Sequence, residues 1–155
     1  VTNSARGLPF QGLSSVSTDD IAAARTIASL LVRHGHREIA VIGGDTAVSE
    51  ISRNRLRGCE LAVGGSETRI ASYQVARFSF DGGYRAMEKI LADRGKITAV
   101  FAMADVMALG AMRCIRDHGL RIPEDLSLVC FDAPDDGRSG RAEKMKGAKL
   151  LQPGV

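Results

Sequence analysis

The chain of 155 residues has no tryptophan and only two tyrosines and five phenylalanines. It shows no basic stripe with interleaved aromatic rings, so by itself it is expected to be a poor nucleic-acid binder. Charge of one sign is also scarce in excess, with 21 Lys+Arg against 18 Asp+Glu and a net of +3. Residues 133–155 hold five of the basic and three of the acidic side chains, leaving +1 for the rest. Cysteine is sparse and odd in number: Cys59, Cys114 and Cys130. That excludes a disulfide-dense miniprotein, and the wide spacing offers no metal-ligand pattern. Two of the three sit in apolar runs, where cysteine acts as a small hydrophobe, and a reducing cytoplasm is the expected compartment. No apolar run approaches the 18 residues or so that a membrane span needs. Nor does the chain start with the basic-then-apolar pattern of a signal peptide. What remains is 45% hydrophobic and 25% charged, the composition of one soluble domain with a sizeable core. The chain opens mid-pattern, with Val1 and Thr2 reading like the end of a strand that begins elsewhere, so a fragment is expected.

The periodicity alternates. From Ser14 to Gly35 it is helical, with Asp19 and Asp20 before Ile21, Ala24, Ile27, Ala28 and Leu31, and Gly35 as the stop. Ile39-Ala40-Val41-Ile42 is a short continuous apolar run, ended by Gly43-Gly44-Asp45, and fits a strand buried on both faces. A helix is expected over Glu50–Ala62, a strand over Ser72–Phe80, a helix over Gly83–Ala92 and a strand over Thr98–Ala102. Asp105 is expected to cap a helix carrying Val106, Leu109, Met112, Cys114 and Ile115 that closes at Gly119. Leu126–Phe131 is the last clear strand. Strands alternating with helices predict an α/β fold: a parallel sheet with helices on both faces. After Ala133 the apolar positions thin out. Leu150-Leu151 is too short to define an element, and the tail is expected to be loosely ordered.

No catalytic signature is present. The chain lacks a G-x-S-x-G elbow, a phosphate loop and a G-x-G-x-x-G turn. His34 and His36 flank a glycine but have no acidic or cysteine partner at ligand spacing, so a polar turn is expected and a metal site is not. No cofactor is implied. Non-covalent binding is the remaining chemistry. In open parallel sheets ligands sit beyond the carboxyl ends of the strands, which here begin the loops at Gly43–Asp45, Phe78–Asp81, Ala104-Asp105 and Asp132. Acids accept hydroxyl hydrogens and rings pack on C–H faces, a combination suited to a polyhydroxylated ligand. Asp105 and Asp81 serve equally well as helix caps, and Phe78 as core. Arg55 follows the first of these loops and could donate a planar fork to a ligand oxygen. Its neighbours Arg53 and Arg57 suggest instead a solvated face with at most one functional member.

These residues also carry a family resemblance. Gly35-His36-Arg37-Glu38-Ile39-Ala40-Val41-Ile42-Gly43-Gly44 resembles the G-H-R-x-I-A-x-I-x-G signature of the lactose-repressor (LacI/GalR) family of bacterial transcription regulators. Arg55-Leu56-Arg57-Gly58 resembles the R-L-x-G that follows it, and "FSFDGGYRAM" the f-x-x-x-x-G-y stretch. "TAVFAMADVMALGAMRCIRDHGLRIPEDLSLVCFD" is similar to the family pattern almost residue by residue. Together the matches run from about Asp19 to Asp132.

The resemblance implies a periplasmic-binding-protein-like fold, of which this chain is mainly the second effector-binding subdomain. Residues 1–18 would be the end of the first subdomain and the crossover, 19–133 the second subdomain, and 134–155 an atypical tail. It implies a sugar or related metabolite as effector, a cytoplasmic homodimer in the complete protein, and operator DNA contacted only through an N-terminal domain outside this chain. By position, Arg55, Phe78, Asp105 and Asp132 match effector contacts. Leu109 and Met112 match a dimerisation surface, with plain core packing as the alternative. Ala104 departs from the Asn or Ser of many members, and Cys130 replaces a usual Gly; both imply a less polar contact. A periplasmic sugar-binding protein of a transporter shares the fold, but usually lacks the "GHR" and "GLRIPEDLSL" segments. An enzyme on this scaffold would need a nucleophile or phosphate loop.

Overall fold

The computed structural model describes residues 19–131 and, as a short strand, the backbone of residues 148–150. The first helix, α1 (Asp20–Arg33), starts where Asp19 accepts the Ala22 amide hydrogen at 3.0 Å. Its apolar positions Ala24, Ile27, Ala28 and Leu31 recur every three or four residues and are all buried. It stops before Gly35, whose φ of +80° a side chain would disfavour. Strand β1 (Glu38–Gly43) leads to α2 (Glu50–Val63), capped by Ser49, which accepts the Ser52 amide hydrogen. Then follow β2 (Arg69–Val75), α3 (Phe80–Ala92), β3 (Ala99–Ala102), α4 (Asp105–Asp117), β4 (Ser127–Phe131) and β5 (Ala148–Leu150).

The sheet order is β2-β1-β3-β4-β5, with the first four strands parallel and β5 antiparallel to β4. Because successive strand residues point to opposite faces, the central strands divide their side chains between two cores. Ile39, Val41, Ala99, Phe101, Val129 and Phe131 face α1 and α2. Ala40, Ile42, Val100, Ala102, Leu128 and Cys130 face α3 and α4. This double coverage is why these strands read as unbroken apolar runs, and it is the α/β sheet with helices on both faces that the alternation predicts. A Cβ on Gly58 of α2 would stand 2.8 Å from the Ala24 Cβ of α1, so the missing side chain lets the two helices cross closely.

Four boundaries differ from the sequence reading. Strand β2 covers Arg69–Val75, not Ser72–Phe80. Pairing begins where the Arg69 amide donates to the Arg37 carbonyl, and it ends where Ala76 donates to the Gly43 carbonyl. Beyond Gly43 there is no β1 left to pair with, so Phe78 and Phe80 are not strand residues despite their alternation. Helix α3 accordingly starts at Phe80 rather than Gly83, and its cap is Ser79, which accepts the Gly82 amide hydrogen at 3.0 Å; Asp81 is not the cap. Asp105 is likewise the first residue of α4, not its cap. Ala104 holds that position with no side-chain bond, while Asp105 Oδ1 accepts the Val106 amide hydrogen at 2.6 Å. Finally, Ala148–Leu150 pair with β4 although no element is legible there. Three residues carry no periodicity, and the pairing is decided by the open backbone edge of β4. The remaining residues of 1–18 and 132–155, and with them Asp132, the expected crossover and the rest of the tail, lie outside the described residues.

Candidate functional site

The chain leaves β1 to form β2 on one side and returns to form β3 on the other. The strand order therefore reverses between β1 and β3, and α/β proteins hold ligands beyond the carboxyl ends of such a pair of strands. The segments leaving these two ends are Gly43–Asp45 and Met103–Asp105, the floor on which such a ligand would sit.

Arg55 reaches this floor from the second turn of α2. Of the three alternating arginines, Arg53 and Arg57 are exposed and Arg55 is 8% exposed. Three groups enclose it. Its Nε donates to Asp20 Oδ1 of α1 at 3.1 Å, Nη1 donates to the Met103 carbonyl at the end of β3, and its guanidinium carbon lies 3.5 Å from the Phe131 ring centroid at the end of β4. Gly58, one turn further along α2, lies against Ala24 and Arg25 of α1, the helix whose first residue is Asp20. Asp20 was legible only as one of two acids at a helix start. A second acid where Asp19 alone caps the helix was the available signal.

Phe78 follows β2 and is 44% exposed. Its ring covers Gly44, where a Cβ would stand 2.6 Å from the ring and 2.6 Å from Ser52 Oγ. Ser52 is fully buried and, among the described residues, its hydroxyl has no hydrogen-bond partner. Tyr73 Oη donates to the Gly44 carbonyl at 2.5 Å and pins the same turn from below. Burial, then the nearby Cys59 and Asp45, push its phenol up to about 12, so it remains a donor at neutral pH.

The strand-end acids divide. Asp45 is exposed and spent on its own turn, accepting the Ala47 amide hydrogen at 2.8 Å. Asp81 is exposed and pairs with Arg85 along α3. Asp105 is half-buried at the start of α4, beside the β3 end. Arg55 thus reaches the Met103 carbonyl at the β3 end, Asp105 opens α4 two residues further on, and Phe78 lies against Gly44 at the β1 end. Leu109 and Met112 are both half-buried on α4, Met112 packing in part against the core beneath.

His34 and His36 lie at the opposite, amino ends of the strands. His34 Nδ1 donates to the Leu30 carbonyl at 2.8 Å, and His36 Nδ1 pairs with Thr98 Oγ1 at 2.8 Å. Among the described residues, no group of three or more His, Cys, Asp or Glu is placed to hold a metal ion, and no helix is long and apolar enough to cross a membrane.

A parallel sheet whose strand order reverses at β1 and β3 is the architecture of α/β domains that bind small molecules beyond the strands' carboxyl ends. Residues 11–139 match the periplasmic binding protein-like domain family, and the chain belongs to it. Its relatives are LacI-type transcriptional regulators, as the sequence resemblance implies. The chain is 34% identical over 127 residues to the regulator CelR of Thermobifida fusca, covering 81% of this chain and 37% of CelR. It is 35% identical over 129 residues to the repressor CytR of Escherichia coli, covering 82% of this chain and 38% of CytR. It therefore spans little more than a third of the curated relatives it matches. A LacI-family regulator of Enterococcus faecium solved with bound ribose superimposes with a TM-score of 0.64 at 28% identity, over 74% of this chain and 43% of that one. Both curated relatives are transcriptional regulators rather than enzymes.

Proposed function

We propose that this chain is the effector-binding portion of a LacI-type transcriptional regulator. In this reading a sugar or related metabolite seats on Arg55, Phe78, Asp105 and Asp132, and a second, similar subdomain closes over it. Arg55 donates to a ligand oxygen, Phe78 packs on a C–H face, and the acids accept hydroxyl hydrogens. Closure changes operator affinity only because the ligand binds one hinge state better than the other. The observation that carries the reading is the enclosure of Arg55 at the switch point, since an arginine buried there has no counterpart in a solvated helix face. The bound ribose of the Enterococcus faecium regulator supports a sugar as the ligand class.

The complete protein is proposed to be a cytoplasmic homodimer, with Leu109 and Met112 in the subunit contact, that performs no covalent chemistry. It addresses paired half-sites of DNA through a helix-turn-helix outside this chain. Reading the source DNA in frame upstream of the Val1 codon tests this directly. An open frame encoding a helix-turn-helix supports the regulator, and a signal peptide in that place would move the protein to transport.

A further inference from the structure

We propose that Asp20 makes this site selective for uncharged effectors and against anionic ones. The inference rests on the reading of Arg55 as an effector contact. An arginine at the mouth of a parallel sheet is by default a receptor for carboxylate or phosphate, because its planar fork presents paired N–H groups to two oxygens. Arg55 is not free to act so. Its Nε is on Asp20 Oδ1 at 3.1 Å and its Nη1 is on the Met103 carbonyl, so both two-donor edges of the fork include a nitrogen committed within the chain. The Phe131 ring covers one face of the guanidinium.

Charge points the same way. The Arg55 and Asp20 side chains are 10% and 16% exposed, so the pair is poorly screened and the guanidinium charge is compensated before any ligand arrives. An anion on Nη2 would lie within a few ångströms of the Asp20 carboxylate and be repelled by it. A hydroxyl carries no such cost. It accepts one hydrogen from Nη2 and keeps its own hydrogen to donate elsewhere. Asp20 is thus a specificity-determining residue that acts through Arg55.

The test follows the Arg55 Nε–H nuclear magnetic resonance signal of the whole chain, identified by its loss in Arg55→Lys, during titration with D-ribose and, separately, with inorganic phosphate. The wild-type signal should respond to ribose and not to phosphate over the same concentrations. Asp20→Asn keeps an acceptor for Nε and removes the charge; it should bind phosphate about ten-fold or more tightly than wild type, with ribose changed by less. Asp20→Glu, which restores the charge, should return the wild-type preference. Equal phosphate affinity in wild type and Asp20→Asn, with ribose still bound, overturns the role of Asp20 and leaves the effector reading standing. Wild-type Arg55 taking phosphate at least as well as ribose overturns it too, whether or not the variant folds. No response to either probe in any variant removes Arg55 from the effector contacts and takes this inference with it.

Discussion

The guanidinium carbon of Arg55 lies over the ring of Phe131, 3.5 Å from its centroid, and so joins the second helix to the end of the fourth strand. An arginine so placed that also pairs with Asp20 and donates to the Met103 carbonyl ties together α1, α2, β3 and β4. Truncating it leaves the Asp20 carboxylate largely buried without its partner. Arg55→Ala should therefore cost about 3–5 kcal/mol, read as a lowered urea midpoint at unchanged slope. A loss under about 1 kcal/mol would mean that water already screens the pair.

Gly58 tests the crossing of α1 and α2. A Cβ there would press on the Ala24 Cβ at 2.8 Å and on the Arg25 backbone nitrogen at 2.8 Å. Neither can swing aside as a long side chain would. Gly58→Ala should destabilise by about 1–3 kcal/mol, despite the better helix propensity of alanine, because α1 and α2 must part. Thermal melts that show a gain instead would place the contact outside the folded core.

Ser52 makes the opposite prediction. Its buried hydroxyl has no partner among the described residues, so the fold carries the cost of desolvating it. Ser52→Ala should stabilise the chain by about 1 kcal/mol in urea titrations. A comparable loss would show that the hydroxyl is bonded in solution.

His36 gives the fold a pH dependence. Burial first, and then the charge of His34, hold its imidazole below the ordinary value of 6.5. The unfolded chain therefore takes up this proton first. The stability contributed is present above that ordinary value, declines as the pH falls through it, and levels off once the folded-state value is passed. Between about pH 7.5 and about pH 5.5, His36→Gln should lose less stability than wild type. Equal losses in both would assign the dependence to other groups.

The physical basis of what could be read in the sequence differs from element to element. Ile39–Ile42 and Leu128–Cys130 face helices on both sides, so their apolar runs declare buried strands without any tertiary knowledge. Strand β2 is an edge, half-exposed along most of its length, and its apolar alternation runs on through Phe78 and Phe80 into residues that have no partner strand. Its true end is set by where β1 stops. The same holds for the caps: Ser79 and Asp81 are both competent, and only the path of the chain past Val75 selects Ser79.

Local sequence sufficed to nominate Arg55, Phe78 and Asp105 as candidates, because strand ends and motif spacing are properties of neighbouring residues. What Arg55 touches is decided elsewhere. Asp20 is 35 residues away in the chain, Met103 is 48 away, and Phe131 lies on another strand. The sequence by itself determined the alternating order of elements, the two buried faces of the central strands and the candidate positions at their carboxyl ends, all through short-range periodicity. Only the tertiary structure decided that the positive charge at these strand ends is already matched by a carboxylate, because that depends on two helices meeting at a glycine that lacks a side chain to keep them apart.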